Sequence, residues 1–171
     1  MKKIYNNDNI NNKLVFIYGY YKLKSVINKK DNIITFFLNN INVKIFISYI
    51  EKIVENKDIV HDIIKNNNLI ILKIYNKELI DILENIDNNK NNFLISENIL
   101  KLNKQKIKIL LVSLFNTSSS INIKNRYVKI YIFSCHILNQ IKYLFKIFKI
   151  NSIISNNNLY IYDELSIYNY Y

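Results

Sequence analysis

One stretch of this sequence decides its fold: Leu111-Val112-Ser113-Leu114-Phe115-Asn116-Thr117-Ser118-Ser119-Ser120-Ile121. Its first five residues complete a largely apolar run that predicts a buried helix over Ile107 to Phe115. The polar run from Thr117 to Ser120 that follows is typical of a helix end and a turn. By itself the stretch predicts one core helix, and the segments on either side of it are needed to relate that helix to a known fold.

Two flanking segments extend the pattern. Ile95-Ser96-Glu97-Asn98-Ile99-Leu100 precedes the helix, and FSCHILNQIKYLFKIFKINS follows it at residues 133–152. From about Ile95 to Tyr162 the chain resembles the second half of an intein-type LAGLIDADG homing endonuclease. That family reads I-P-x-x-I, then L-A-G-L-F-D-T-D-G-S-I, then S-S-x-x-L-x-x-Q-I-Q-x-L-L-x-x-F-G-I-x-S. Lys149 replaces the Gly of the last pattern, which is a departure from the family.

The first half is similar to the same family over a shorter segment. Tyr18-Gly19-Tyr20-Tyr21-Lys22-Leu23-Lys24-Ser25-Val26 can be aligned with the first signature helix, which the family writes L-G-Y-L-I-G-D-G-S-I. The resemblance implies that Gly19 and Ser113 lie where the two signature helices pack against each other.

The resemblance also implies a catalytic site from which the acids have been lost. In the family, one Asp at the end of each signature helix holds divalent metal, because carboxylate oxygens suit a hard cation such as Mg²⁺, and the metal activates water. Lys24 and Ser118 occupy these positions here, and Asn116 replaces a further Asp. A protonated lysine repels a cation. We therefore expect no catalytic residue, no metal or other cofactor and no metal-dependent cleavage; Mg²⁺ would be expected only of an active family member.

The two halves match each other under a shift of 94 residues. The shift places Gly19 on Ser113 and aligns apolar residues of three elements: Phe16 with Leu110, Ile34 with Val128, Phe36 with Ile130, Ile47 with Ile141, and Ile50 with Leu144. The prediction is an α/β protein, α+β in the stricter sense, of two pseudo-symmetric halves at residues 1–90 and 91–171. Each half has a signature helix, antiparallel strands and packing helices. Together with this duplication, the resemblance implies a monomer with an internal pseudo-two-fold axis, as in single-chain members of the family.

Hydrophobic periodicity predicts the individual elements. Helices are predicted over Leu14–Tyr21, Val43–Val54, Glu78–Leu83, Ile107–Phe115 and Leu138–Phe148, and strands over Ile33–Leu38, Leu69–Tyr75, Tyr127–Phe133 and Leu159–Tyr162. The chain has 0 Pro and 1 Gly, so asparagine must supply the turns, since it tolerates left-handed backbone and caps helices. Loops are predicted at Asn6–Asn12, Asn39–Asn42, Asn66–Asn68, Asn88–Asn92 and Asn156–Asn158, the fourth of these as the boundary between the halves.

The charge favours a polyanionic partner. Lys and Arg number 24 against 13 Asp and Glu, a formal net charge of +11. Part of this excess reflects A/T-rich codons, which also favour Asn, Ile, Tyr and Phe and point to an organelle, an endosymbiont or a virus. By the resemblance, the strand residues that would face phosphate or bases of double-stranded DNA or structured RNA are Lys29, Lys30, Lys73, Lys124, Arg126 and Lys129. The alternative is that these are scattered surface charges.

Several classes of site are excluded by residue usage. One Cys permits no internal disulfide, and His61 and His136 lack partners at metal-ligand spacing. No apolar run approaches the roughly 18 residues of a membrane span, so no membrane is predicted as a partner. A single Gly rules out Gly-rich phosphate-binding loops.

Two functions from different classes follow. The first is a degenerate homing-endonuclease relative that does not cleave DNA but retains DNA or RNA binding. The second is a small basic, non-enzymatic component of an organellar assembly, such as a ribosome-associated protein. Two long helices crossing at Gly19 and Ser113 between two antiparallel sheets favour the first, and a single sheet with basic residues on several faces favours the second.

Overall fold

Two units of similar architecture follow each other in the computed structural model, which describes residues 10–39, 43–55, 59–66, 69–87 and 94–162. The first unit contains α1 (Asn12–Lys24), β1 (Ser25–Asn28), β2 (Ile33–Asn39), α2 (Val43–Ile53), β3 (His61–Asn66), β4 (Leu69–Tyr75) and α3 (Lys77–Asp87). The second contains α4 (Glu97–Leu100), α5 (Lys104–Ser118), β5 (Ser119–Asn122), β6 (Tyr127–Tyr131), α6 (Cys135–Ile147), β7 (Ile153–Ser155) and β8 (Asn158–Ile161). Within these ranges no helix has both the length and the apolar character needed to cross a membrane.

Each unit folds around one four-stranded antiparallel sheet. The strand orders are β1-β2-β4-β3 and β5-β6-β8-β7, so the second sheet repeats the topology of the first. Buried residues alternate along the central strands, as in β6, where Val128 and Ile130 point inward and the residues between them point outward. One face of each sheet therefore packs on helices and the other faces solvent. The predicted α+β class with two similar halves is confirmed.

The shift of 94 residues holds through the first half of each unit. Strand β1 begins directly after α1, with Ser25 opposite Phe36 on β2. Strand β5 begins directly after α5, with Ser119 opposite Ile130 on β6. Both residues of the second pair are 94 positions beyond those of the first, so the duplicated pattern in the sequence corresponds to one repeated strand register.

The turns between these strands repeat as well. Asn32 and Arg126, also 94 positions apart, both adopt the left-handed backbone conformation, with φ of 54° and 50°. Each turn starts with an asparagine whose side-chain oxygen accepts a hydrogen bond from the N–H three residues later, at 3.3 Å for Asn28 and 2.9 Å for Asn122. Asparagine thus performs the turn function that glycine and proline perform in most chains.

The repeat changes length in the second half of each unit. Ile34 on β2 pairs with Ile74 on β4, whereas Val128 on β6 pairs with Ile161 on β8. Ile34 and Val128 are 94 residues apart, but their partners Ile74 and Ile161 are only 87 residues apart. Strands β7 and β8 are shorter than β3 and β4, and a two-residue turn at 156–157 joins them. Both turn asparagines have positive φ, 48° and 56°, as a type I′ hairpin turn requires.

The structure confirms all nine predicted elements and corrects several boundaries. Helix α3 continues to Asp87, and α5 runs from Lys104 through Ser118. The polar run from Thr117 to Ser120 contains the end of α5 at Ser118, but no turn follows, because the chain passes directly into β5 at Ser119. The sequence missed β1, β3, β5, β7 and the single-turn helix α4. The predicted boundary at Asn88–Asn92 lies outside the described residues.

Candidate nucleic-acid interface

Helices α1 and α5 pack directly against each other at Gly19 and Ser113. A Cβ atom placed on Gly19 would lie 1.8 Å from Oγ and 2.8 Å from Cβ of Ser113, far inside van der Waals contact. Ser113 is fully buried, and its hydroxyl donates to the Leu110 carbonyl at 2.7 Å, within its own helix. The close approach of the two backbones therefore depends on the only glycine in the chain.

The residues at the positions of the family's acids end these two helices. Lys24 is the last residue of α1 and Ser118 is the last residue of α5, and both are half-buried. The Ser118 hydroxyl donates to Thr117 Oγ1 at 3.3 Å, which in turn donates to the Leu114 carbonyl at 2.6 Å. Among the residues that the structure describes, no group of three or more His, Cys, Asp or Glu could hold a metal ion. The helix ends thus present a cation and a hydroxyl.

Tyr20 places a polar atom inside the helix interface. Its side chain is buried, and its hydroxyl lies near Asn116 without a hydrogen bond of ordinary length. Burial raises the pKa of Tyr20 to about 12, and the Asn116 side chain partly opposes this shift. The hydroxyl therefore remains protonated and can donate a hydrogen bond across the interface.

A buried ion pair fixes the start of the connection between the units. Lys22 on α1 contacts Asp87 at the end of α3, with Nζ 2.8 Å and 3.0 Å from the two carboxylate oxygens. The Tyr18 hydroxyl donates to Asp87 at 2.6 Å and accepts from the Ser96 N–H at 3.0 Å. Burial raises the pKa of Asp87, although the Lys22 and Tyr18 donors lower it in part. This acid is engaged in structure and is not a free metal ligand.

Gln140 on α6 fixes the far end of the same connection. Its side-chain oxygen accepts from the Ile95 N–H at 2.8 Å, and its side-chain nitrogen donates to the Ile95 carbonyl at 3.1 Å. One amide therefore satisfies both backbone groups of a residue 45 positions away. The Ile95 segment and the glutamine are both part of the family-like pattern in the sequence, and this contact gives them a structural reason to occur together.

The six predicted nucleic-acid-binding residues occupy two kinds of position. Lys73 lies on β4 and Lys129 lies on β6, both on the outward faces of their sheets. The expectation that all six are strand residues is wrong, because the other four lie in the turns that follow β1 and β5: Lys29, Lys30, Lys124 and Arg126. These turns are related by the 94-residue repeat, so each carries two basic residues at the edge of its sheet, and Lys30 and Lys124 occupy equivalent positions.

Acidic neighbours reduce the positive charge of the first unit. The Lys29 ammonium lies 2.8 Å from a carboxylate oxygen of Glu84, in an exposed ion pair. Lys73 stands directly opposite Asp62 on the neighbouring strand β3. Asp62 also accepts a hydrogen bond from the Tyr75 hydroxyl, which raises the pKa of that tyrosine. The outward face of the first sheet is thus partly neutralised.

The outward face of the second sheet carries a cluster that the sequence analysis missed. We define the tyrosine cluster as Tyr127, Lys129, Tyr131, Tyr160 and Tyr162. The Lys129 ammonium lies 4.4 Å from the ring centre of Tyr131 and 5.5 Å from that of Tyr160. Partial burial lowers the pKa of Lys129, but the two tyrosine hydroxyls outweigh it and raise the pKa overall. The alternation at 127, 129 and 131 was visible in the sequence, but the pairing with β8 was not.

Comparison with solved structures identifies the fold. The chain is similar to full-length DUF199/WhiA from Thermatoga maritima, with a TM-score of 0.65 and 17% identity, over 93% of this chain and 53% of that one. It is similar to the N-terminal LAGLIDADG domain of DUF199/WhiA, with a TM-score of 0.64 and 17% identity, over 98% and 83% of the two chains. This chain therefore spans about half of the full-length protein and has a LAGLIDADG-type fold.

A homing endonuclease shares the same fold. A mesophilic variant of I-DmoI matches with a TM-score of 0.68 and 10% identity, over 93% of this chain and 92% of that one. I-DmoI in complex with DNA and Mn matches with a TM-score of 0.64 and 10% identity, over 90% of each chain. No family model matches the sequence, and no curated protein matches it either.

Proposed function

We propose that this protein binds nucleic acid through its two sheets and does not cleave it with metal ions. The observation that carries the proposal is the identity of the residues that end the two central helices. Lys24 ends α1 and Ser118 ends α5, at positions 94 residues apart in a repeat that holds through helix, strand and turn. Neither residue is an anionic ligand, so the pair cannot hold the hard cation that metal-dependent phosphodiester hydrolysis uses.

Net charge and fold support a nucleic-acid partner. The chain carries a formal charge of +11, and I-DmoI, which has the same fold, is crystallised with DNA. The partner would be double-stranded DNA or structured RNA, met by a monomer with an internal pseudo-two-fold axis and halves at residues 1–90 and 91–171. Lys30, Lys124 and Arg126 in the β1–β2 and β5–β6 turns would contact phosphate, and Lys73 and Lys129 on the strands would lie closer to the bases.

The alternative of a basic organellar assembly component has less support from the architecture. Helices α1 and α5 meet at Gly19 and Ser113 between two antiparallel sheets, which is the arrangement expected of a LAGLIDADG-type protein. A ribosome-associated protein with one sheet and basic residues on several faces would show a different arrangement. The helix-covered sides of the sheets are also mainly apolar and buried.

Binding and cleavage should be measured together on the full chain. The probes are a labelled 30-base-pair DNA duplex and an RNA hairpin, titrated between 50 and 300 mM salt with Mg²⁺, with Mn²⁺ and with chelator, and the product strands are resolved on a gel. Contact with about five phosphates predicts a slope of roughly −4 to −5 in log affinity against log salt. We expect binding with such a slope and intact strands under every metal condition. Metal-dependent product would refute the proposal.

Matched variants separate the two parts of the proposal. Lys124→Gln, in the β5–β6 turn, should weaken binding and reduce the salt slope by about one. Lys146→Gln, on the exposed side of α6, removes the same charge away from the sheet face and should leave both unchanged. Lys24→Asp combined with Ser118→Asp should introduce Mn²⁺ binding, detected by calorimetry, which we do not expect of the natural chain. Mn²⁺ binding by the natural chain at this affinity would contradict the assignment of Lys24 and Ser118.

A further inference from the structure

We propose that the tyrosine cluster on the second sheet is a stacking platform for unpaired nucleobases. The inference rests on the proposed nucleic-acid function and adds the class of ligand: a single-stranded segment of DNA or RNA, or a bulge or end with exposed base faces. Exposed aromatic rings on a sheet bind such segments because every base has a flat face, and a basic side chain beside the rings pairs with the backbone.

Three of the four rings contact one another, and the Lys129 ammonium links them to the fourth, Tyr131, so the cluster forms one row. Tyr160 and Tyr162 are stacked, with ring centres 5.6 Å apart and planes within 13° of each other. Tyr127 lies 5.6 Å from Tyr160 and 5.7 Å from Tyr162, in tilted or edge-on contact. At the other end, Tyr131 is covered on one side by the Lys129 ammonium. The row is therefore held by its own contacts before any ligand binds, which reduces the entropy lost on binding.

Exposed ring surface remains at both ends of the row. Tyr131 is 48% exposed and Tyr162 is 51% exposed, which is large for aromatic rings that already contact neighbours. Tyr127 and Tyr131, the first and last of the five residues of β6, are separated by roughly 13 Å, four steps at about 3.3 Å per strand residue. Sheets that stack bases on aromatic side chains bind about two or three bases, which a row of this length can accommodate. Two bases on Tyr131 and Tyr162 would leave the Lys129 ammonium between them.

Polar side chains hold the outer tyrosines in place. The Ser120 hydroxyl donates to the Tyr131 hydroxyl at 3.2 Å, and the Asn122 amide donates to the Tyr127 hydroxyl at the same distance. Each phenolic O–H keeps its own proton for donation to a base or phosphate oxygen. Among the described residues, this face carries no acidic side chain that would repel the phosphates of a nucleic acid.

The equivalent positions on the first sheet lack this chemistry. The cross-strand neighbours Lys129 and Tyr160 correspond to Thr35 and Lys73, and Lys73 stands opposite the acid Asp62. The remaining outward positions of the first sheet are mostly apolar, and two of them are well exposed: Val26 at 59% and Ile64 at 46%. Because the same fold carries both faces, the tyrosines are a property of the second sheet and not a requirement of the architecture.

Unpaired bases fit this face better than a duplex does. In a duplex, neighbouring base pairs cover both faces of every base, so tyrosine rings reach only the groove edges and the backbone. A single strand exposes the faces, and stacking on one aromatic ring contributes enough that its removal costs about tenfold or more in affinity. The structure therefore points to tighter binding of single strands than of the matching duplex at equal salt.

The test is fluorescence anisotropy with the full chain and four probes: mixed-sequence 12-mers of single-stranded DNA and RNA, and the matching duplexes. A second set of single strands carries one 2-aminopurine, whose fluorescence falls when it stacks. We expect single strands to bind about tenfold tighter than duplexes, with quenching of 2-aminopurine. Tyr131→Leu and Tyr162→Leu should each weaken single-strand binding about tenfold and remove part of the quenching, with little effect on duplexes.

Two tyrosines outside the cluster are matched controls. Tyr75→Leu changes the position of the first sheet that corresponds to Tyr162, and Tyr143→Leu changes an exposed tyrosine of α6, so neither should alter single-strand affinity. Equal losses for all four variants, equal effects on duplex and single strand, or no quenching would overturn the platform while leaving the proposed function intact. Absence of binding to every probe at 50 mM salt would overturn both. The difference in affinity between the DNA and RNA probes shows which nucleic acid the protein prefers.

Discussion

Gly19→Ala tests the contact that joins the two units. The added Cβ would lie 2.8 Å from the Ser113 Cβ, and rotation of the Ser113 side chain cannot relieve this, since Cβ is fixed by the backbone. Carbon atoms at contact lie about 3.5–4.0 Å apart. Helices α1 and α5 must therefore separate by about 1 Å, which loosens packing along the whole interface.

The magnitude follows from two opposing effects. Overpacking of a buried site costs about 1–3 kcal/mol, and a contact of this severity falls at the upper end. Replacement of glycine by alanine inside a helix recovers about 1 kcal/mol of helix propensity. We expect a net loss of about 2 kcal/mol in the free energy of unfolding, measured by urea denaturation, and a fall in Tm of roughly 4–8 °C for a chain of this size.

A double-mutant cycle tests whether Gly19 and Ser113 contact each other. Ser113→Gly removes both atoms that the new methyl group would meet, so the combination of Gly19→Ala and Ser113→Gly should recover most of the loss, a coupling of about 2 kcal/mol. Ser113→Ala removes Oγ but keeps Cβ, and its combination with Gly19→Ala should recover only part. A neutral Gly19→Ala, or additive effects in the cycle, would show that the helices do not meet here.

Three further changes probe the connection and a turn. Asp87→Asn leaves the buried Lys22 ammonium without a compensating charge and should lower the free energy of unfolding by about 3 kcal/mol or more, measured by urea denaturation. Gln140→Leu removes both hydrogen bonds to Ile95 and should cost about 1–3 kcal/mol, with faster hydrogen exchange at the Ile95 amide. Asn157 has a positive φ of 56°, which asparagine tolerates better than alanine because its side chain can hydrogen-bond locally. Asn157→Ala should therefore lower the free energy of unfolding by about 1 kcal/mol and lower Tm.

Each of these changes has a matched control. Lys22→Met together with Asp87→Leu removes the pair instead of one partner and should be less harmful than Asp87→Asn. Asn139→Ala, next to Gln140 on the exposed side of α6, should have almost no effect on stability. Asn157→Gly should be neutral or slightly stabilising, because glycine adopts positive φ without strain. If a control changed stability as much as its partner, the contact in question would not explain the loss.

The elements that could be predicted from sequence are those with one buried face and enough length. Strand β4, Leu69–Tyr75, has the predicted limits because it is central in its sheet and seven residues long. Strand β5 was missed because a four-residue edge strand, Ser119–Asn122, has no apolar alternation to detect, and β3 was missed because its described side chains face solvent. Helix α5 was predicted too short because polar residues such as Thr117 and Ser118 satisfy their hydroxyls within the helix.

The candidate site was only partly predictable, for a different reason. Gly19 and Ser113 were predicted from the resemblance to the family's two signature helices, which meet at small residues because only these let the backbones approach closely. The tyrosine cluster depends on which residue of β8 lies beside which residue of β6, and that register follows from a seven-residue shortening of the repeat. Alternation in a single strand assigns residues to a face, but it cannot assign their neighbours across the sheet.

The two sheets share a plan on the inside and differ on the outside. Their inward faces carry similar apolar residues because helices must pack on each of them, whereas their outward faces are free of that constraint. One outward face combines Lys73 with Asp62 and exposed aliphatic residues, and the other combines Lys129 with four tyrosines. A two-fold symmetric duplex would present the same groups to both faces and could complement only one of them. We therefore expect an asymmetric partner, with unpaired bases on the second sheet, bound in one orientation relative to the helix interface at Gly19.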